Sequence, residues 1–302
     1  MKKIIVIGSS YMDMVVSAER FPASGETIYG GGFLMNPGGK GANQAVTARR
    51  LGGNVCFISK LGNDIFGHEL LELYRLENIN TDFILKDLDN PTAVAIINVD
   101  AKGENSILMA SGVNASLSKY DIKQIKYCLN DCDILLIQLE IPIDTIKYAA
   151  SLAKSKGVKI ILNPAPAQKL PDSLLSSLYI ITPNKIEAEL LSGIKITDME
   201  SVREVADNIA AKGVENVIIT LGSNGVFVKE KDESYFIETL KVKAIDTSIA
   251  GDIFSGALCA ALSGGFNLRQ AVKFASRATT ISVTRIGARA SIPYRHELAG
   301  LY

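Results

Sequence analysis

Histidine is scarce in this chain of 302 residues: His68 and His296 are the only two, and neither lies in a nucleophile-base arrangement or an H-E-x-x-H string. Histidine-dependent hydrolysis and zinc catalysis therefore lose their usual carriers. Cysteine is scarce too, with 4 residues (Cys56, Cys128, Cys132 and Cys259), of which only Cys128 and Cys132 are close in sequence. That spacing allows a shared helix face, but no histidine or further cysteine stands near to complete a metal site. Reduced, packed thiols are the better reading, because so few cysteines in so long a chain do not make a disulfide framework. An excess of one charge is missing as well. Lys+Arg and Asp+Glu both number 32, so no bulk field recruits nucleic acid or an anionic membrane. Long apolar runs are absent: Ile4 to Ile7 is closed by Gly8, too short for a secretion signal, and nothing approaches the roughly 20 residues that span a bilayer. The expectation is a soluble, cytoplasmic protein whose partners are small molecules, not nucleic acid or membrane.

Apolar content is ample, at 47%, and can bury a substantial core. Short β-branched runs recur at Ile4 to Ile7, Val55 to Ser59, Ile134 to Ile137, Lys159 to Leu162, Tyr179 to Thr182 and Val217 to Thr220. Helix-length amphipathic segments fall between most of them, at Lys40 to Leu51, Gly67 to Glu77, Asp144 to Lys156, Ser201 to Lys212 and Gly251 to Ser263. Such alternation predicts a mostly parallel sheet with helices on both faces. Val15 to Leu34 and Ala93 to Met109 break the rhythm, being strand-like with no helix between. They predict a small β-layer, a lid over the carboxyl ends of the parallel strands. With no repeat or long linker, one unit over residues 1–302 is expected, with lid segments at about 12–35 and 92–110.

Four strings carry chemistry. In PGGKGANQA, Pro37 to Ala45, consecutive glycines let backbone approach a ligand and the next residues open a helix, so that amides, the Lys40 ammonium and Asn43 converge. It is not a P-loop, because Gly41 follows Lys40. In DTSIAGDIFSGAL, Asp246 to Leu258, a helix begins near Asp252, offering free N–H groups to a phosphate. Asp252 is there either a helix cap or a base beside an anion hole. Phosphoryl transfer needs both a carboxylate for the hydroxyl proton and donors for the γ-phosphate charge. In TPNKIEAE, Thr182 to Glu189, Asn184 and Glu187 are three apart; they either hold water-coordinated Mg²⁺ or form a cap. TLGSNG, Thr220 to Gly225, is a strand end and turn that either borders a nucleotide or is only a hairpin.

In this order, and with Gly8-Ser9-Ser10 plus Asp13, Gln138-Leu139-Glu140, NPAPA at Asn163 and TRIGARASIP at Thr284, the strings resemble the ribokinase subgroup of the PfkB carbohydrate kinase family from Lys3 to Tyr294. The resemblance implies a three-layer α/β ribokinase-like fold with a β-sheet lid, and ATP-dependent phosphorylation of D-ribose at O5. Deoxyribose, another pentose, a nucleoside or a ketohexose derivative stands next, and a non-catalytic sugar or nucleotide sensor is the rival from another class. It implies Asp252 as base, with Ile249, Ala250 and Gly251 as anion hole, and Tyr11, Asp13, Gly39, Lys40, Asn43 and Glu140 at the sugar. Asn184, Thr220, Leu221, Gly222, Ser223, Asn224, Gly225 and Gly251 then meet ATP, and Glu187 meets Mg²⁺ through water. Asp246, Ser248, Ser282, Arg285, Gly287 and Ser291 match positions for an activating monovalent cation, K⁺, several through backbone carbonyls. A homodimer is implied by the same analogy. Four residues depart from the pattern: Tyr11 for the usual Asn, Lys185 for Glu, Ile249 for a small residue and Ile253 for Thr. Tyr11 lies two before Asp13, so on an extended segment it shares the sugar side.

Overall fold

The computed structural model of the chain describes residues 2–298. Its larger sheet has 9 strands, in the order Ser234–Ile237, Val226–Lys229, Asn216–Thr220, Ile180–Ile181, Lys159–Leu162, Ile134–Ile137, Lys3–Ile7, Asn54–Gly62 and Ile84–Asp87. The first three pair antiparallel and every other pair is parallel. Period-2 alternation then feeds two cores from one strand. Ile4 and Val6 join the helices Lys40–Arg50, Ala250–Ser263 and Leu268–Ser282, whereas Ile5 and Ile7 join Ile143–Ser155 and Met199–Ala211 on the opposite face. Both faces are therefore covered, as the apolar strands require.

The helix Leu268–Ser282 was not expected, although Asn267 and Gln270 form a capping box at its start. The edge strands Ile84–Asp87 and Ser234–Ile237, and Val226–Lys229 next to the latter, were also missed, because polar residues such as Lys86, Lys229 and Ser234 interrupt their apolar runs.

A second sheet of 4 strands has the order Phe33–Gly38, Tyr11–Ser17, Val94–Val99, Asn105–Ala110. The stretch from Val15 to Leu34 is not continuous strand: residues 18–32 carry none, because Pro22, Gly25 and Gly30 to Gly32 give no ladder-forming run. Two side chains fix this sheet to the larger one. Asn114 accepts the Ser10 N–H at 3.1 Å and donates to the Ser10 carbonyl at 2.9 Å. Asp64, which caps Ile65–Leu76, accepts the N–H and hydroxyl of Thr92, each at 2.7 Å. The outer strands leave Phe33, Leu34, Ile107 and Leu108 exposed, consecutive pairs that point to both faces. All 4 cysteines are buried and unpaired.

Candidate active site

Parallel strands open their crevice at their carboxyl ends, and the chemistry-bearing residues lie there. Ser9 and Ser10 follow Lys3–Ile7, Gln138 and Glu140 follow Ile134–Ile137, Asn163 follows Lys159–Leu162, and Thr182 and Asn184 follow Ile180–Ile181.

Gly39 starts the Lys40–Arg50 helix at φ 95°, a conformation that disfavours any side chain. A Cβ on Gly41 would lie 2.6 Å from the backbone of Gly8, so glycine there lets the helix press on the end of the first strand. The helix has no side-chain cap in its own segment. Glu140 supplies one from across the crevice, accepting the Lys40 N–H at 2.9 Å while the Ser9 hydroxyl donates to the same oxygen. The Lys40 ammonium faces Asp252, Glu140 and Glu187; burial opposes its charge, but the three carboxylates prevail and hold its pKa above the ordinary range.

Asp252 is the third residue of the helix Ala250–Ser263 and does not cap it. Its Oδ2 accepts from Asn43 at 3.1 Å and its Oδ1 from Gln44 at 2.9 Å. Burial pushes its pKa up, opposed by the Lys40 charge and the two amides. Ala250 N–H is taken by the Thr247 carbonyl at 3.2 Å, while those of Gly251 and Asp252 have no acceptor among the described residues. A Cβ on Gly251 would meet nothing within 4 Å, so these donors open onto a cavity of about 300 Å³ bordered by Lys40, Glu187, Thr220, Gly225 and Asp252. Ile249 keeps its side chain in the core.

The Asp13 carboxylate occupies space that any Cβ on Gly38 would claim, at 2.1 Å. Burial and the charge of Glu140 push its pKa up to about 7. Burial and Glu140 raise the Tyr11 phenol, against hydrogen bonds to Asn114 and Ser111.

Asn184 and Glu187 form a reciprocal capping box, with the Asn184 N–H and Nδ2 each donating to a different Glu187 oxygen at 2.9 Å. Each oxygen retains accepting capacity. Of the turn after Asn216–Thr220, Thr220, Gly222 and Gly225 line the cavity. Leu221 and Asn224 instead line a second, apolar groove of about 700 Å³, and Ser223 lines neither. Asp246 accepts the N–H of Ser248 at 2.9 Å and of Gly287 at 3.1 Å, joining two loops. Ser282 donates to Ser291 at 2.8 Å, and the Arg285 side chain pairs with Glu297. Among the described residues no cluster of three His, Cys, Asp or Glu forms a metal centre, but hard oxygen donors such as the Asp246 carboxylate and loop carbonyls suit a monovalent cation.

Gln44, Asn163, Ser276 and Thr279 are among the site residues that sequence reasoning missed. Gln44 lies four after Lys40 and hence on its face, a signal that was present in PGGKGANQA. Asn163 accepts from Gln44 at 3.0 Å. Ser276 and Thr279 line the cavity from Leu268–Ser282, and the Ser276 hydroxyl is buried without a partner; no local pattern marks them.

The model of the pfkB family of carbohydrate kinases matches residues 1–295. A ribokinase of Haemophilus influenzae is 44% identical over 296 residues, 98% of this chain and 97% of that one. A deoxyribokinase of Salmonella typhi is 34% identical, over 96% of this chain and 95% of the other. The structure of Arabidopsis thaliana ribokinase complexed with ribose and ATP superposes with a TM-score of 0.94 at 28% identity, covering 99% of this chain and 98% of that one.

Proposed function

The chain belongs to the pfkB family of carbohydrate kinases, and from that premise we propose that it transfers the γ-phosphoryl group of ATP to O5 of D-ribose. One observation carries the reading: a buried carboxylate, Asp252, is held by two amides at a helix start where the Gly251 and Asp252 N–H groups have no acceptor among the described residues. Asp252 takes the proton of the attacking hydroxyl, and the helix start with Gly251 receives the charge developing on the phosphoryl oxygens. Lys40, lying among Asp252, Glu140 and Glu187, spans the join between sugar and phosphate. Asp13, Glu140, Asn43 and the Gly39 backbone orient the sugar, and the cavity beyond Asn184 and Thr220 takes the nucleotide, with Ser276 at its wall.

Mg²⁺ bound through water to Glu187 would neutralise phosphate charge. K⁺ would sit between Asp246 and the loop from Ser282 to Ser291, ordering the loop behind the helix start. The second sheet acts as the lid of a single unit, and its exposed Phe33, Leu34, Ile107 and Leu108 give a surface on which two copies pair into a homodimer. Unpaired buried thiols suit a reducing compartment, and we place the enzyme in the cytoplasm. No helix among the described residues is long and apolar enough to cross a membrane.

Tyr11 favours a second reading, deoxyribose, since its phenol is within the influence of Glu140 and Asp13, the residues read here as sugar contacts, at a position where the resembled pattern has Asn. An ADP-release assay over pentoses, hexoses and nucleosides tests both. The highest kcat/KM with D-ribose, and a 5-phosphate product, is expected; a nucleoside or hexose as best acceptor overturns the assignment.

A further inference from the structure

We propose that Gln44 is a positioning residue for the base, fixing the orientation of the Asp252 carboxylate through a one-way chain of buried amides that begins at Gln138. This rests on the role given to Asp252 above. Gln44 and Gln138 are 0% exposed and Asn163 is 4% exposed. The Gln138 Nε2 donates to Gln44 Oε1 at 2.6 Å. Gln44 Nε2 donates to Asp252 Oδ1 at 2.9 Å and to Asn163 Oδ1 at 3.0 Å. Asn163 Nδ2 in turn donates to the Thr182 carbonyl at 3.3 Å.

The direction of this chain is dictated by its end. An ionised carboxylate only accepts, so Gln44 must turn its NH₂ toward Asp252, which leaves its oxygen to Gln138. Gln138 must then donate as well. Its own Oε1 is left buried without a partner, against Gly8, where a Cβ would lie 2.0 Å from that oxygen. A buried polar atom left unsatisfied is costly, and an apolar pair of similar volume would avoid it. The arrangement makes sense if the amide's task is at Asp252.

Backbone geometry holds the chain in place. A Cβ on Gly256, one turn after Asp252, would be 2.6 Å from the Gln44 carbonyl, so the helices Lys40–Arg50 and Ala250–Ser263 touch at this level. Asn43 restrains Oδ2 and Gln44 restrains Oδ1, fixing the carboxylate plane. The charged groups facing Asp252 are Lys40 from the first helix, Glu140 from the loop after Ile134–Ile137 and Glu187 from Lys185–Ser192. Lys40 favours the ionised form and the two glutamates oppose it. Hydrogen bonds to the charged form favour it, so losing one of two amides leaves the base easier to protonate and free to rotate.

The test is Gln44→Met, which keeps length and removes both donors. Turnover at saturating sugar and ATP should fall by about 10²-fold, the scale of a misplaced catalytic group, with the two KM values little changed and the acidic limb of kcat moved to higher pH. A lower unfolding midpoint with kcat and its acidic limb unchanged would make Gln44 a packing residue and overturn the proposal. Should Gln44→Met fail to fold, Gln138→Met carries the test one link further out. A smaller loss of kcat with the limb moved in the same direction supports the chain, and an unchanged profile refutes it. Near-native turnover in Asp252→Asn would instead refute the base itself, separating the two failures.

Discussion

Replacing Asp13 by Asn exchanges a partly buried acid for a neutral group of the same shape. In the native protein burial and Glu140 push the Asp13 pKa up from 3.8 to about 7. Between about pH 4 and 7 the folded state therefore holds a proton that the unfolded chain has released. Under that condition stability falls as pH rises, by 1.36 kcal/mol for each unit over which the two states differ by one full proton. A gap of roughly 3 units sets an upper bound of about 4 kcal/mol, and partial exposure of Asp13 lowers it. Stability from the protonated acid is present below about pH 4 and lost by the time pH passes about 7. Asp13→Asn has nothing to lose in this window, so it should gain on the wild type as pH rises. Urea unfolding of the ligand-free protein, followed by its 10 tyrosines in the absence of tryptophan, gives the difference at each pH. Glu140→Gln should flatten it by removing the neighbouring charge. A wild-type-minus-variant difference that stays constant from pH 5 to 8 would refute the reasoning.

Tyr11→Asn should raise the ratio of kcat/KM for ribose over 2-deoxyribose, by up to roughly tenfold if one neutral hydrogen bond is gained; an unchanged ratio would leave Tyr11 a packing residue. Turnover should rise with K⁺ over a buffer free of alkali metal, with Na⁺ a poorer substitute. The unfolding midpoint without substrates should rise in K⁺ as well, and equal behaviour in both buffers would dismiss the cation site between Asp246 and Ser291.

Much of the architecture was legible because parallel strands buried on both faces read as apolar runs, as Ile4 to Ile7 and Ile134 to Ile137 do. The strands Ile84–Asp87, Val226–Lys229 and Ser234–Ile237 carry polar residues that interrupt any such run. At the site, glycines and the residues after strand ends marked Lys40, Asn184 and Asp252 in advance. The partners of Asp252 were not local: its carboxylate, which does not cap its helix, is held by Asn43 and Gln44, more than 200 positions away. At Asn184 the cap is local and visible, a reciprocal box with Glu187. Ser276 escaped notice because a serine on the buried side of a helix has no signature until the cavity beside it is seen.

The account stands most directly on Asp252→Asn, compared with wild type in single turnover with bound sugar and ATP. Both ligands should bind with little change while the phosphoryl-transfer rate falls by roughly 10²–10⁴, the range for a lost general base. Near-native transfer in the variant would contradict it.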